Sequence, residues 1–134
     1  MATIVRLEDI ETWQSARELT GIGYDLTRHQ KLARDFGLCD QMRPASVSIM
    51  SNFAERFESR TNIFFTEFLG RAKASAGELR LQVYVANDIG YTSEDDFSQL
   101  IGLCEVFSRQ ISRFTQYLEK RPNAIRYEGI EYNV

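Results

Sequence analysis

The groups that could do chemistry in this chain are few: one histidine, His29, two cysteines, Cys39 and Cys104, and carboxylates scattered along 134 residues. Helical bundles build di-iron sites from Glu-x-x-His pairs, and here the residue three before His29 is Leu26. One histidine and two distant cysteines fall short of a zinc ligand set. No glycine-rich phosphate loop occurs. A serine nucleophile would have to use His29 as its base, yet His29 sits in a charged connector and reads as a surface residue. Glu55 and Glu78 are the carboxylates that burial could tune for proton transfer. Each stands where an Arg, Gln or Ser across a helix interface would hold it instead. Cys39 and Cys104 fall on apolar helix faces and read as buried free thiols. The expectation is a protein that is not an enzyme, with no catalytic residue, no metal and no cofactor.

The elements that carry these residues are helices. Phe65, Leu69, Ala72, Ala76, Leu79, Val83 and Ala86 alternate steps of four and three and form an apolar seam on one long helix. Phe97, Leu100, Cys104, Phe107, Ile111, Phe114 and Leu118 do the same on the next. A first helix is expected from Asp9, its N-cap, to Arg28, with Ile10, Trp13, Ala16, Leu19, Ile22 and Leu26 on a broad apolar arc. Residues 29–35 read as a connector, and a second helix follows over Asp35–Phe57 with Met42, Ile49, Phe53 and Phe57 on its core face. Ser59 or Thr61 caps the third, which runs to about Asp88 and stops at Gly90, with Tyr91 folding back. Thr92 or Ser93 caps the fourth, and Glu94, Asp95 and Asp96 suit the positive end of its dipole. The third and fourth helices are each about 40 Å long.

Short connections between long helices predict an all-α, up-down-up-down four-helix bundle over residues 1–120. Residues 121–134 form a tail, flexible or docked on a neighbouring subunit. The chain is 43% hydrophobic, enough for one core. No apolar run is long enough to span a membrane, and no secretory signal is visible, so a cytoplasmic protein is expected. Net charge is −3 overall, but residues 28–80 carry nine basic and six acidic side chains.

A second, polar line flanks the seam of the third helix: Phe68, Arg71, Ser75, Glu78 and Gln82. The second helix carries its counterpart in Gln41, Ala45, Ser48, Asn52 and Glu55. With the turn centred near Ser59–Arg60, Gln41 falls beside Glu78, Ala45 beside Ser75, Ser48 beside Arg71, and Asn52 beside Glu67 or Phe68. Hydrogen bonds along such a seam fix register more than they add stability.

The stretch Gln41-Met42-Arg43-x-Ala45-x-Val47-Ser48-Ile49-x-Ser51-Asn52-Phe53-Ala54-Glu55 resembles the signature of the four-helix bundle proteins found in bacterial ribosomal-RNA intervening sequences. The Phe65–Leu79 pattern is similar to that family's second signature. Ile10-x-x-Trp13-Gln14-x-Ala16 and Leu26-Thr27 also match, so the resemblance covers residues 7–118. It implies an up-down bundle assembled as a ring-shaped homopentamer. It also implies kinship with retroelement accessory proteins, whose basic surface engages nucleic acid and a reverse transcriptase. The chain departs from the pattern at Pro44, which stands where the family has a second Arg, at Met50 in place of Pro, and at Arg56 in place of Gly. Whatever the family Arg does is not carried over to this chain. Pro44 should also kink the second helix near Gln41 unless it falls in a first turn.

Two readings follow. The favoured one is a non-enzymatic homo-oligomeric scaffold, a pentamer whose interface uses Val47 and Met50 on the second helix and Phe64, Leu81, Tyr84 and Val85 on the third. The less favoured alternative is a nucleic-acid-binding accessory protein contacting RNA or DNA through Arg56, Arg60 and Lys73. An acidic pI near 5.2 and the lack of any basic run count against it.

Overall fold

The computed structural model describes the backbone of residues 10–57 and 62–120, and the side chains of 10–52 and 66–120. Among the described residues there are five helices and no strand: α1 (Glu11–Leu26), α2 (Gln30–Arg34), α3 (Phe36–Phe57), α4 (Asn62–Asp88) and α5 (Glu94–Lys120). The long helices pack in sequence, α1 on α3, α3 on α4 and α4 on α5, and α5 returns to α1. The α3–α4 pairing is the most extensive of these.

The core is built from the periodic residues. Leu69, Ala72, Ala76, Leu79, Val83 and Ala86 of α4 are buried, as are Leu100, Cys104, Phe107, Ile111 and Leu118 of α5. α1 contributes Ala16, Leu19 and Leu26, and α3 contributes Cys39, Met42, Ala45 and Ile49. Each fully buried Leu, Ile or Phe among them contributes about 1.5–3 kcal/mol relative to exposure.

Three boundaries differ from expectation. The N-cap of α1 is Ile10, not Asp9: the Ile10 carbonyl accepts from the Gln14 N–H at 3.1 Å, and among the described residues no side chain caps the end. α1 ends at Leu26, where the C-cap Thr27 donates through both its N–H, at 3.1 Å, and its Oγ1, at 2.5 Å, to the Tyr24 carbonyl. The expected connector contains α2, whose Leu32 is wholly buried. The chain enters α2 through Gln30 at φ 28, the left-handed region.

At the other ends the local chemistry is as read. Gly90 has φ 90. Its N–H donates to the Asn87 carbonyl at 3.0 Å and that of Tyr91 to the Ala86 carbonyl at 2.8 Å, a Schellman closure of α4. Ser93 Oγ accepts from the Asp96 N–H at 3.1 Å and caps α5. Asp35 Oδ1 accepts from the Leu38 N–H at 3.1 Å at the start of α3, while its Oδ2 accepts from the Tyr91 hydroxyl at 3.0 Å. α3 runs as one helix through Pro44. Pro44 and Asp40 are both exposed, which leaves the carbonyl that Pro44 cannot serve open to water. The tail, and Ser59 and Thr61 as caps of α4, lie outside the described residues.

Candidate functional site

The polar lines of α3 and α4 face each other. Ser48 Oγ and Ser75 Oγ share a hydrogen bond of 2.9 Å. The Asn52 amide donates to Ser48 Oγ at 2.7 Å and to the Ser48 carbonyl at 2.9 Å. Buried Gln82 donates through Nε2 to the Gln41 carbonyl at 3.4 Å. Arg71 is exposed, pairs with Glu67 at 3.1 Å and lies over the Phe68 ring at 4.5 Å. Glu78 is exposed, and its Oε1 lies 3.5 Å from Gln82 Nε2. Glu55 lies outside the described side chains.

The expected pairs are displaced by one turn. Ser48 meets Ser75 rather than Arg71, and Gln41 meets Gln82 rather than Glu78. Side chains on a helix lean toward its N-terminus and cover a spot about one position behind their own Cα. In an antiparallel pair both lean toward lower numbers, so the partners that touch carry higher numbers on both helices. That lean accounts for about half of the four-residue shift.

The candidate interface residues divide by position. Val47, Leu81, Tyr84 and Val85 are exposed apolar side chains. Tyr84 also meets Phe97 of α5 edge-on, with ring centroids 5.1 Å apart. Met50 packs partly buried against the subunit's own core. Phe64 lies outside the described side chains. Phe36 and Ile89 are exposed as well. They were missed at the sequence level because neither belongs to a heptad line.

Of the three candidate nucleic-acid contacts, Arg56 and Arg60 lie outside the described side chains. Lys73 is exposed, and its ammonium donates to Ser112 Oγ of α5 at 3.1 Å.

A polar node that sequence reading did not assemble joins the lower end of α1 to α3. Arg43 Nε donates to Thr27 Oγ1 at 2.9 Å while the guanidinium lies 5.1 Å over the Tyr24 ring. Cys39 Sγ donates to the Leu32 carbonyl at 3.1 Å, with the Thr27 carbonyl 3.6 Å away. The only signal was the pair Leu26-Thr27, with Arg43 in a separate motif 16 residues on. Burial pushes the Cys39 thiol up, against the lowering effect of Arg43. Burial pushes Cys104 further, to about 11. Neither thiol is poised as a nucleophile. Among the described residues no three His, Cys, Asp or Glu side chains gather as a metal site.

A search of curated proteins finds no match. The sequence profile of the 23S rRNA-intervening sequence protein matches residues 8–113, which include α1–α4 and most of α5, and the chain belongs to that family.

Proposed function

We propose that the protein is a non-enzymatic scaffold that works by self-association in the cytoplasm, with an up-down-up-down four-helix subunit closing into a homopentameric ring. The observation that carries this reading is the outward side of α4. Leu81, Val85 and Ile89 lie one turn apart in a row and are 66%, 45% and 55% exposed. Val47 on α3 is 47% exposed and Phe36 at its start 75%. Single exposed apolar residues need no explanation, but a continuous row along the end of α4 and into the turn that follows leaves apolar surface that association would cover. A repeated face on identical chains favours closed rotational symmetry. The fivefold count comes from the family resemblance. No helix among the described residues is long and apolar enough to cross a membrane.

Light scattering on the purified chain is the test, with a mass near five times the 15.5 kDa protomer expected. Leu81→Glu with Val85→Glu should release monomers that keep their helical circular dichroism. A wild-type monomer at micromolar concentration overturns the reading. Loss of helicity together with dissociation would show that the two side chains serve the subunit core instead. The second reading, a nucleic-acid-binding accessory protein, is the less favoured because the chain is acidic overall.

A further inference from the structure

We propose that a shallow depression on α5, beside Lys73 of α4, binds a phosphoryl anion through Lys73, Ser108, Arg109, Ser112 and Arg113. Two pairs fix the register of these helices: Lys73 with Ser112 at 3.1 Å, and Arg80 with Glu105 at 3.7 Å. Next to the first pair lies a depression of about 400 Å³ lined by Ser108, Arg109, Ser112 and Arg113, within the size range of small-ligand sites. Ser108 and Ser112 form one row along α5 and Arg109 and Arg113 the next, with members of each row one turn apart. The same register sets Gly77 of α4 level with Ser108, where it offers no side chain to cover the depression. A Cβ added at Gly77 would meet nothing within 4 Å.

The donors are unspent. Ser112 Oγ accepts from the Lys73 ammonium, so its own proton is free to be given to a ligand oxygen, and Lys73 keeps two further N–H groups. Among the described residues no carboxylate comes within ion-pair distance of Lys73, Arg109 or Arg113. Glu105, one turn before Arg109 and the acid best placed to neutralise it, is drawn to Arg80. Three cations that repel one another around two hydroxyls fit a compact, multiply charged oxyanion. The guanidinium forks and hydroxyls match the several oxygens of a phosphate better than the two of a carboxylate. That phosphoryl group could belong to a small phosphate ester or to an RNA backbone. The assignment does not depend on self-association.

The test uses the full chain, titrated calorimetrically with pyrophosphate and, separately, by anisotropy with a labelled single-stranded RNA, each at about 50 and 200 mM salt. Arg109→Gln with Arg113→Gln should weaken binding at least about tenfold. Ser112→Ala, which keeps every charge, should weaken it a few-fold. Lys31→Gln with Arg34→Gln, two exposed cations on α2, should leave it unchanged. If a small ester is the natural source, pyrophosphate binds and RNA does not displace it. If the backbone is the source, RNA binds, pyrophosphate competes, and the salt slope falls by about 0.7 per contact removed. The site is refuted if neither probe binds the wild-type chain. It is equally refuted if the α2 variant weakens binding as much as the Arg109/Arg113 variant, since only net charge would then matter. The exposed side chains involved should leave circular dichroism unaltered.

Discussion

Two glycines in one helix should respond to the same substitution with opposite signs. Gly23 of α1 is buried where α1 crosses α3 and α4. A Cβ added there would stand 2.6 Å from Ser46 Oγ and 2.8 Å from Leu79 Cδ2. Ordinary carbon contacts lie near 3.5–4.0 Å, so the neighbours must move by roughly 1 Å. Leu79 is fully buried and tightly surrounded, and Ser46 Oγ is committed to the Met42 carbonyl at 2.8 Å. Overpacking of this kind costs about 1–3 kcal/mol, and displacing the Ser46 hydrogen bond about 1 more. The better helix propensity of Ala returns about 1 kcal/mol. Gly23→Ala should therefore destabilise by about 1–3 kcal/mol, lowering Tm by roughly 4–12 °C for a chain of this size. At Gly21 an added Cβ meets nothing within 4 Å, so only the propensity gain of about 1 kcal/mol remains. Urea and thermal unfolding followed by circular dichroism at one fixed protein concentration measure both. Ser46→Ala in the Gly23→Ala background should recover part of the loss by removing the nearer obstacle. A neutral or stabilising Gly23→Ala would refute the close approach of these three helices.

Two further outcomes follow from buried polar atoms. Gln82 Oε1 is buried and has no donor among the described residues, and the Nε2 bonds of Gln82 are long, at 3.4 and 3.5 Å. Gln82→Met should therefore raise the unfolding free energy measured in urea by up to about 1 kcal/mol; a loss above that size would show that those long bonds matter. Cys104 titrates near 11 when folded because burial disfavours its thiolate, whereas the unfolded thiol titrates near 9. A raised folded pKa means that the stability from the neutral thiol is complete below about 9 and is lost as pH climbs toward about 11, a span of roughly 2–3 kcal/mol. Unfolding measured at both ends of that window should fall more for wild type than for Cys104→Ala, and equal falls would contradict the burial of the thiol.

Most of the fold was legible because the seams of α4 and α5 repeat over many turns. A period held from Leu69 to Ala86 has no reading other than a helix with one buried side, and every one of the six seam residues in that span is buried. The stops were legible for a local reason: Gly90 reaches the left-handed region at little cost, and Ser93 offers its hydroxyl to the first turn of α5. α2 was not legible. Five residues cannot show a period, and Gln30–Arg34 contains one apolar anchor, Leu32, whose burial is decided by α3 rather than by its own neighbours. The α1 N-cap failed for a related reason: Asp9 is a good capping residue, but the chain begins its first turn one residue later, at the Ile10 carbonyl.

The polar line illustrates which part of a site a sequence can hold. That Ser48 and Ser75 belong on facing helices follows from spacing on each helix separately. Which of them touch depends on how two helices slide past each other, and a slide of one turn keeps every residue on its line while changing every partner. The same reasoning explains the basic site. Counted along the chain, residues 81–134 are acidic, with five basic and eight acidic side chains, so nothing there advertised a cationic site. The site arises because Lys73 of α4 reaches Ser112, which lines the same depression as Arg109 and Arg113, while Arg80 takes Glu105, one turn before Arg109. Charge summed over sequence blocks averages such a cluster away, whereas antiparallel packing gathers it. Surface chemistry of this kind becomes visible only once the register between two helices is known.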